Sequence, residues 1–299
     1  MTPDLVCAGN LLVDDLVFDD GRTVMGQAGG ALLHAALAAA HWGARVGAAG
    51  IAGTDYPAAA LDALAAAGVS LDGVERLPGP GARIWLLYEG GARQMVHRLG
   101  RPSHAEVSPG PAHLPAAWRE ARALHVCPMP LACQRALVEA SSRETLVGID
   151  PHEPLSREGA AAWRAVLASC DALFVGADEL RLAPGDDVFA AVEEVAGERL
   201  RFVAHKRGEA GGALLDRRTG QRWAWDAVPA ETVDPTGAGD AFAAAFMAAW
   251  AAGCAVEERL ARAAAAASVA VTARGAAGLA GAARAELEAR RDRCRVRAG

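Results

Sequence analysis

Asp234-Pro235-Thr236-Gly237-Ala238-Gly239-Asp240-Ala241-Phe242-Ala243-Ala244-Ala245-Phe246 is the stretch from which the rest of the chain is read. Its small residues leave bare backbone N–H groups at a turn, and Asp240 closes that turn where a helix is expected over 240–252. The helix is composed almost entirely of helix-forming residues. A helix N-terminus preceded by glycines gathers unpaired amide donors at the positive end of the helix dipole, and so attracts phosphate. A carboxylate in that place would repel phosphate. It has a use if Asp240 takes a proton from a hydroxyl while the adjacent amides hold the charge that develops. The pattern points to phosphoryl transfer onto an alcohol, with helix capping by Asp240 as the plainer alternative. It is not a Walker A loop, because G-x-x-x-x-G-K-[ST] requires a lysine that this run lacks.

Working outward, short apolar runs alternate with helical patterns, which predicts a mostly parallel sheet covered on both faces. Strands are expected over 5–8, 46–51, 123–127, 146–150, 172–175 and 202–204. Helices are expected over 31–41, 58–67, 131–141, 160–169, 188–196, 257–272 and 282–293. Two segments, 15–27 and 83–98, break the rhythm. They are β-like, carry turn residues such as Asp20-Gly21 and Gly90-Gly91, and mix apolar with polar side chains. They are expected to pair into a small β lid over the site, so that residues 1–299 form one α/β domain with a lid.

Composition is consistent with this. The 299 residues are 52% hydrophobic, enough for a sizeable core, and abundant Gly and Ala suit close packing of helices on a sheet. A net charge of −6 argues against a nucleic-acid partner. Neither an eighteen-residue apolar run nor a signal-peptide pattern is present, so no membrane partner is expected. The six cysteines are scattered without a C-x-x-C pair, which reads as reduced thiols in a cytoplasmic protein. Lys206 is the only lysine.

The run 234–246 matches the second signature of the ribokinase-like, or PfkB, carbohydrate kinases, and the resemblance extends over essentially the whole chain. It implies a ribokinase-like fold and an ATP-dependent kinase. In it Asp240 would be the base, and the backbone of Gly237, Ala238, Gly239 and Asp240 the anion hole. Gly9-Asn10-Leu11-Leu12-Val13-Asp14 is similar to the family's G-x-x-x-x-D, which implies that Asp14 binds acceptor hydroxyls. A carboxylate can accept hydrogen bonds from two vicinal hydroxyls. Asp15 would face the other way. Gly29-Gly30 before an Ala-rich helix resembles the first signature and would let the acceptor approach the backbone. Four residues on, His34 stands where the family usually has Asn, which puts the usual sugar preference in doubt; a satisfied core histidine is the alternative.

Glu179 resembles the Glu of the family's N-x-x-E, with Gly176 at the Asn position. The resemblance implies that Glu179 helps hold Mg²⁺ through water. Lys206, Gly208 and Gly211 are similar to the loop that lies along the nucleotide. Thr236, Ala264, Ala267 and Gly275 belong to segments that would border it. Family carbonyls at positions matching Asp234, Thr236, Ala270, Ala273 and Gly275 sometimes hold a monovalent cation, which implies K⁺ as a possible cofactor. Asp150-Pro151-His152-Glu153 ends a strand at the functional edge, where it could touch phosphate or substrate, but it reads first as a solvated turn and is left unassigned.

The acceptor is expected to be a small sugar or polyol, with a nucleoside as the runner-up. Trp85, Tyr88 or Phe18 could then stack on the base, with a place in the lid core as the equal alternative for each. A non-catalytic sugar- or nucleotide-binding sensor is the reading from another class. A homodimer is expected through the lids, which would bury Leu16, Phe18, Ile84, Trp85, Leu86, Leu87 and Met95.

Overall fold

The computed structural model describes residues 2–90, 92–155, 159–176, 179 and 187–299. Its strands are β1 (Leu5–Ala8), β2 (Leu12–Val17), β3 (Thr23–Gly29), β4 (Val46–Ala52), β5 (Ser70–Arg76), β6 (Arg83–Glu89), β7 (Ala92–His97), β8 (Ala123–Val126), β9 (Leu146–Ile149), β10 (Ala172–Gly176), β11 (Phe202–Lys206), β12 (Gly212–Asp216), β13 (Arg222–Trp225) and β14 (Val296–Ala298). The helices are α1 (Ala31–His41), α2 (Ala58–Ala66), α3 (Leu131–Ala140), α4 (Ala160–Leu167), α5 (Val188–Glu193), α6 (Ala238–Ala251), α7 (Val256–Ala270), α8 (Ala277–Gly281) and α9 (Arg284–Arg291).

The large sheet runs in the order β14-β13-β12-β11-β10-β9-β8-β1-β4-β5. It is parallel from β5 to β11 and antiparallel from β11 to β14. Successive residues of a strand point to opposite faces, and the two cores show it. Leu5 and Cys7 join one core with α1, α6 and α7, whereas Val6 and Ala8 join the other with α3, α4 and α5. The parallel strands inside the edge strand β5 are largely buried on both sides, which explains their near-continuous apolar sequences.

Helix α6 lies in the first core with nine consecutive residues, Ala241 to Ala249, buried. Its alanines admit neighbouring helices closely, while Phe246 packs edge-on against Phe174 and Phe202 at centroid distances of 5.4 and 5.9 Å. This fixes the start of α6 relative to the sheet.

Four strands form a separate sheet in the order β3-β2-β6-β7. It contains residues of both segments expected to form a lid, but it begins at Leu12 and includes Gly29, so Asp14 lies within this small sheet. The pairing slips between Asp14 and Leu16, a bulge that re-aims side chains. Asp15, fully buried, accepts hydrogen bonds from Arg83 at 2.6 Å and from the Gly26 amide at 2.8 Å, and lies 3.4 Å from Arg98. Strand alternation corrects the expected dimer face. Leu16, Ile84 and Leu86 pack with Leu12, Ile51, Ala82 and Val107 as the lid's own core, while Met25, Met95 and Val96 are exposed. The Gly91 part of the expected lid turn, like Asp178 beside Glu179, lies outside the described residues.

No described helix is long and apolar enough to cross a membrane. All six cysteines are free, and Cys7, Cys127 and Cys170 are buried.

Candidate active site

Parallel strands bring their C-terminal ends to one edge, where open α/β sheets bind ligands. Asn10 follows β1, Asp150 follows β9, Glu179 follows β10, and Lys206 ends β11. All four line one cavity of about 510 Å³, together with Asp14, Gly30, His34, Thr236, Gly237, Gly239 and Asp240.

Gly237 caps α6 in the left-handed conformation, φ 80° and ψ −2°. The helix starts at Ala238, two residues earlier than the sequence suggested, so Asp240 lies in its first turn rather than at the cap. First-turn amides have no intrahelical acceptor. The Ala238 amide is turned back onto Pro235 O at 3.4 Å. The loop is held by Asp234, whose carboxylate accepts the Thr236 amide through Oδ1 and the Gly275 amide through Oδ2, both at 2.9 Å. That carboxylate therefore acts as a staple between two loops; the cation expectation concerned its carbonyl, a different atom.

Beside the loop stands a charge cluster. Lys206 Nζ donates to Asp150 Oδ2 at 2.6 Å, and a Cβ placed on Gly239 would be 3.1 Å from the same ammonium. Burial raises the Asp150 carboxyl above the usual range; Lys206 opposes this, while Asp240 and Glu179 add to it, bringing it to about 7. Lys206 is held above its ordinary value against its own burial by Asp150, Glu179 and Asp240. Three carboxylates facing one ammonium leave excess negative charge, so a proton or a further cation is favoured there. Asp150 is 2% exposed, not the solvated turn residue that its Asp-Pro sequence suggested. Glu179 also accepts the Gly176 amide.

On the opposite side, Asp14 lies against Gly29, where a Cβ would be 2.0 Å from its Oδ2. The Tyr56 hydroxyl donates to Gly29 O at 3.2 Å; burial pushes its phenol up, and the Asp14 charge adds to this. Gly30 has φ 98°, and a Cβ there would sit 2.2 Å from Asn10 O. His34, one turn into α1, is buried with Nδ1 3.3 Å from Gly30 O. Its ring packs directly against Gly237, so the turn at Gly30 and the loop before α6 meet at this histidine.

The cavity thus gathers Asp14, Gly30, His34, Glu179, Lys206, Thr236, Gly237, Gly239 and Asp240 from the sequence-predicted set. Gly29, Ala238, Asp234, Gly208, Gly211, Ala264, Ala267 and Gly275 are not in its wall. Ala264 is a buried core residue of α7, and its small side chain serves helix packing. Gly211, with φ 73°, is required where a Cβ would strike Trp225 O at 2.0 Å. Sequence reasoning left Asn10, His104, Pro128, Asp150 and His152 unassigned, yet all line the cavity. For Asp150 and His152 the available signal was their position just after a buried strand.

The sequence profile described as pfkB family carbohydrate kinase matches residues 4–280. The chain belongs to that family. The kinase is 31% identical over 261 residues to a cytidine kinase of Thermococcus kodakarensis, covering 85% of this chain and 91% of that protein. Two solved structures share its fold. One is a fructokinase of Xylella fastidiosa with bound ATP, with TM-score 0.76, 20% identity and coverage of 96% of this chain and 98% of that one. The other is an Arabidopsis thaliana ribokinase with ribose and ATP, with TM-score 0.75, 24% identity and coverage of 97% and 99%. At these identities the two structures speak to fold, which accords with the ribokinase-like expectation.

Proposed function

We propose that this kinase transfers the γ-phosphoryl group of ATP to a hydroxyl of a ribonucleoside. The observation that carries the transfer chemistry is that Asp240, Asp14, Gly237 and Gly239 line a single cavity. Asp240 accepts the acceptor hydroxyl's proton as the new O–P bond forms and the bond to the leaving ADP oxygen breaks. Amides at the start of α6 and the Lys206 ammonium stabilise the charge on the transferring group. Asp14 and the Gly30 turn orient the acceptor, and the lid strands exclude water that would compete with it.

The residues also fit Mg²⁺ beside the phosphates. The cluster of Asp150, Glu179 and Asp240 carries more negative charge than Lys206 neutralises, and hard oxygen ligands acting partly through water suit this ion. When bound, Mg²⁺ would neutralise phosphate oxygens. Asp150 and Glu179 would hold it.

Two observations favour a nucleoside over the sugar or polyol placed first by sequence. The 31%-identical relative is a cytidine kinase. Beyond Asp14, moreover, the cavity wall is made of Leu12, Ile84, Leu86 and Met95 with His104 and His152, a surface better matched to a planar ring than to further hydroxyls. The sugar reading is retained as the second, because the family profile names carbohydrate kinases.

The test is ATP turnover on cytidine, adenosine, D-ribose, D-fructose and myo-inositol. Cytidine or adenosine should give the highest kcat/KM, and Asp240→Asn should lower kcat about 10²–10⁴-fold with acceptor affinity kept. Turnover confined to free sugars would remove the nucleoside reading, and near-normal kcat in Asp240→Asn would remove the base.

A further inference from the structure

The same cavity contains a group of histidines that the proposed transfer chemistry does not use. His104 and His152 meet edge to face at a centroid distance of 4.6 Å and 89°, and His97 lies 5.8 Å from His104. They come from three places in the chain: the end of the lid, the segment after it, and the turn following β9. His104 and His152 line the main cavity with Leu86 and Met95, and His97 and His104 line a second cavity of about 400 Å³ that adjoins it through His104. Among the described residues, His104 Nδ1 is buried without a hydrogen-bond partner, a costly arrangement unless something else supplies one.

This wall is rigidly placed. The Asn10 amide donates to Val107 O at 2.8 Å, Ser108 Oγ at 3.0 Å and His104 O at 3.4 Å. Ser108 Oγ in turn donates to His104 O at 2.8 Å. The backbone of His104 is thus tied to the end of β1, the same strand end that leads into Asp14. Burial, reinforced by His152 and His97, brings the His104 imidazole down to about 4. That ring is therefore neutral at pH 7, with one donor and one acceptor nitrogen.

Resting on the nucleoside reading above, we infer that His104 and His152 are the specificity-determining residues for the base: they receive the uncharged heteroaromatic ring of the acceptor, with His104 Nδ1 bonding its polar edge. A free pentose held at Asp14 would leave this surface uncovered. A nucleobase would cover the imidazoles and Met95 together and give Nδ1 its partner. Asn10 is a positioning residue, acting only through the 104–108 backbone.

The experiment compares His104→Ala, His104→Phe and His152→Ala with the wild type on cytidine and D-ribose, after thermal melts confirm that each variant is folded. The His104 side chain takes no part in the Asn10 network, which bonds its carbonyl, so folding should survive. Aromatic stacking of ordinary strength predicts a KM for cytidine raised roughly 5- to 150-fold in His104→Ala. The value of kcat should stay within about twofold, and the kinetics on ribose should be unchanged. His104→Phe should recover part of the loss, since it keeps the ring and drops the hydrogen bond. If the wild type takes cytidine but His104→Ala and His152→Ala leave its KM unaltered, or shift cytidine and ribose alike, the base subsite is wrong and the nucleoside reading stands. If the wild type neither binds nor phosphorylates any nucleoside, both fall.

Discussion

Gly237→Ala tests the junction at which the loop before α6 meets His34, behind the Gly30 turn. Two costs can be separated. The backbone there is left-handed, φ 80° and ψ −2°, which disfavours an L-residue by about 1–2 kcal/mol. The added methyl would also lie 2.1 Å from His34 Cδ2 and 2.3 Å from its Cγ, and overpacking of this kind costs about 1–3 kcal/mol. The single variant should therefore lose about 2–5 kcal/mol. His34→Ala removes the ring, so in the double variant the steric cost disappears and only the backbone cost persists. A double-mutant cycle by urea unfolding should then show the two changes to be less than additive, by about 1–3 kcal/mol. ATP affinity measured by calorimetry should fall in Gly237→Ala and partly return in the double variant. Additivity within about 0.5 kcal/mol, the behaviour of independent sites, would refute the contact between the two loops.

Lys206→Met should weaken ATP binding at least about tenfold, because it removes the ammonium beside Gly239 and leaves three carboxylates unopposed; unchanged affinity by calorimetry would take Lys206 out of the phosphate cradle. Asp150 gives a pH prediction. Its folded-state pKa is raised to about 7, so the folded protein keeps a proton that the unfolded chain has released. The resulting stability is fully present below the ordinary Asp value and is lost as pH rises through about 7; thermal melts of the apo kinase from pH 5 to 8 should show that decline, and Asp150→Asn should flatten it. Asp15→Ala should destabilise the lid by about 3–5 kcal/mol, since it strands Arg83 beside a buried site; limited proteolysis that cleaves the lid no faster than in the wild type would count against that.

The legible parts of the fold were those whose physics is local in sequence. Strands β1, β4, β8, β9, β10 and β11 are buried on both faces and read as apolar runs. Their edge neighbours did not. β5 carries Asp72, Glu75 and Arg76, and β13 and β14 are short, partly exposed and carry one arginine each, Arg222 and Arg297. Nothing in four residues such as Arg222–Trp225 marks a strand until β12 lies alongside. The site divides in the same way. Asp240 and its glycines are contiguous, so loop, helix and the proposed base could be read together. Asp150, His104 and Asn10 acquire meaning only when separate strand ends converge, and Asp15 only when Arg83 folds back beside it. His34 was visible as a departure from the family pattern, but its contact with Gly237 joins α1 to the loop before α6 and has no sequence signature.

Lys206 has a consequence for handling the molecule. It supplies the chain's only side-chain amine, and that amine is paired at 2.6 Å with a buried carboxylate. Reagents that acylate or reductively alkylate amines need an accessible, unprotonated nitrogen, which this side chain does not offer while the pair is intact. Succinimidyl esters should therefore modify this lysine slowly, and immobilisation is better directed to the partly exposed thiols of Cys133 or Cys254. Conversely, any adduct found on this lysine would report that its partnership with Asp150 had opened, turning a routine protein-labelling reaction into a single-residue reporter of the catalytic cleft.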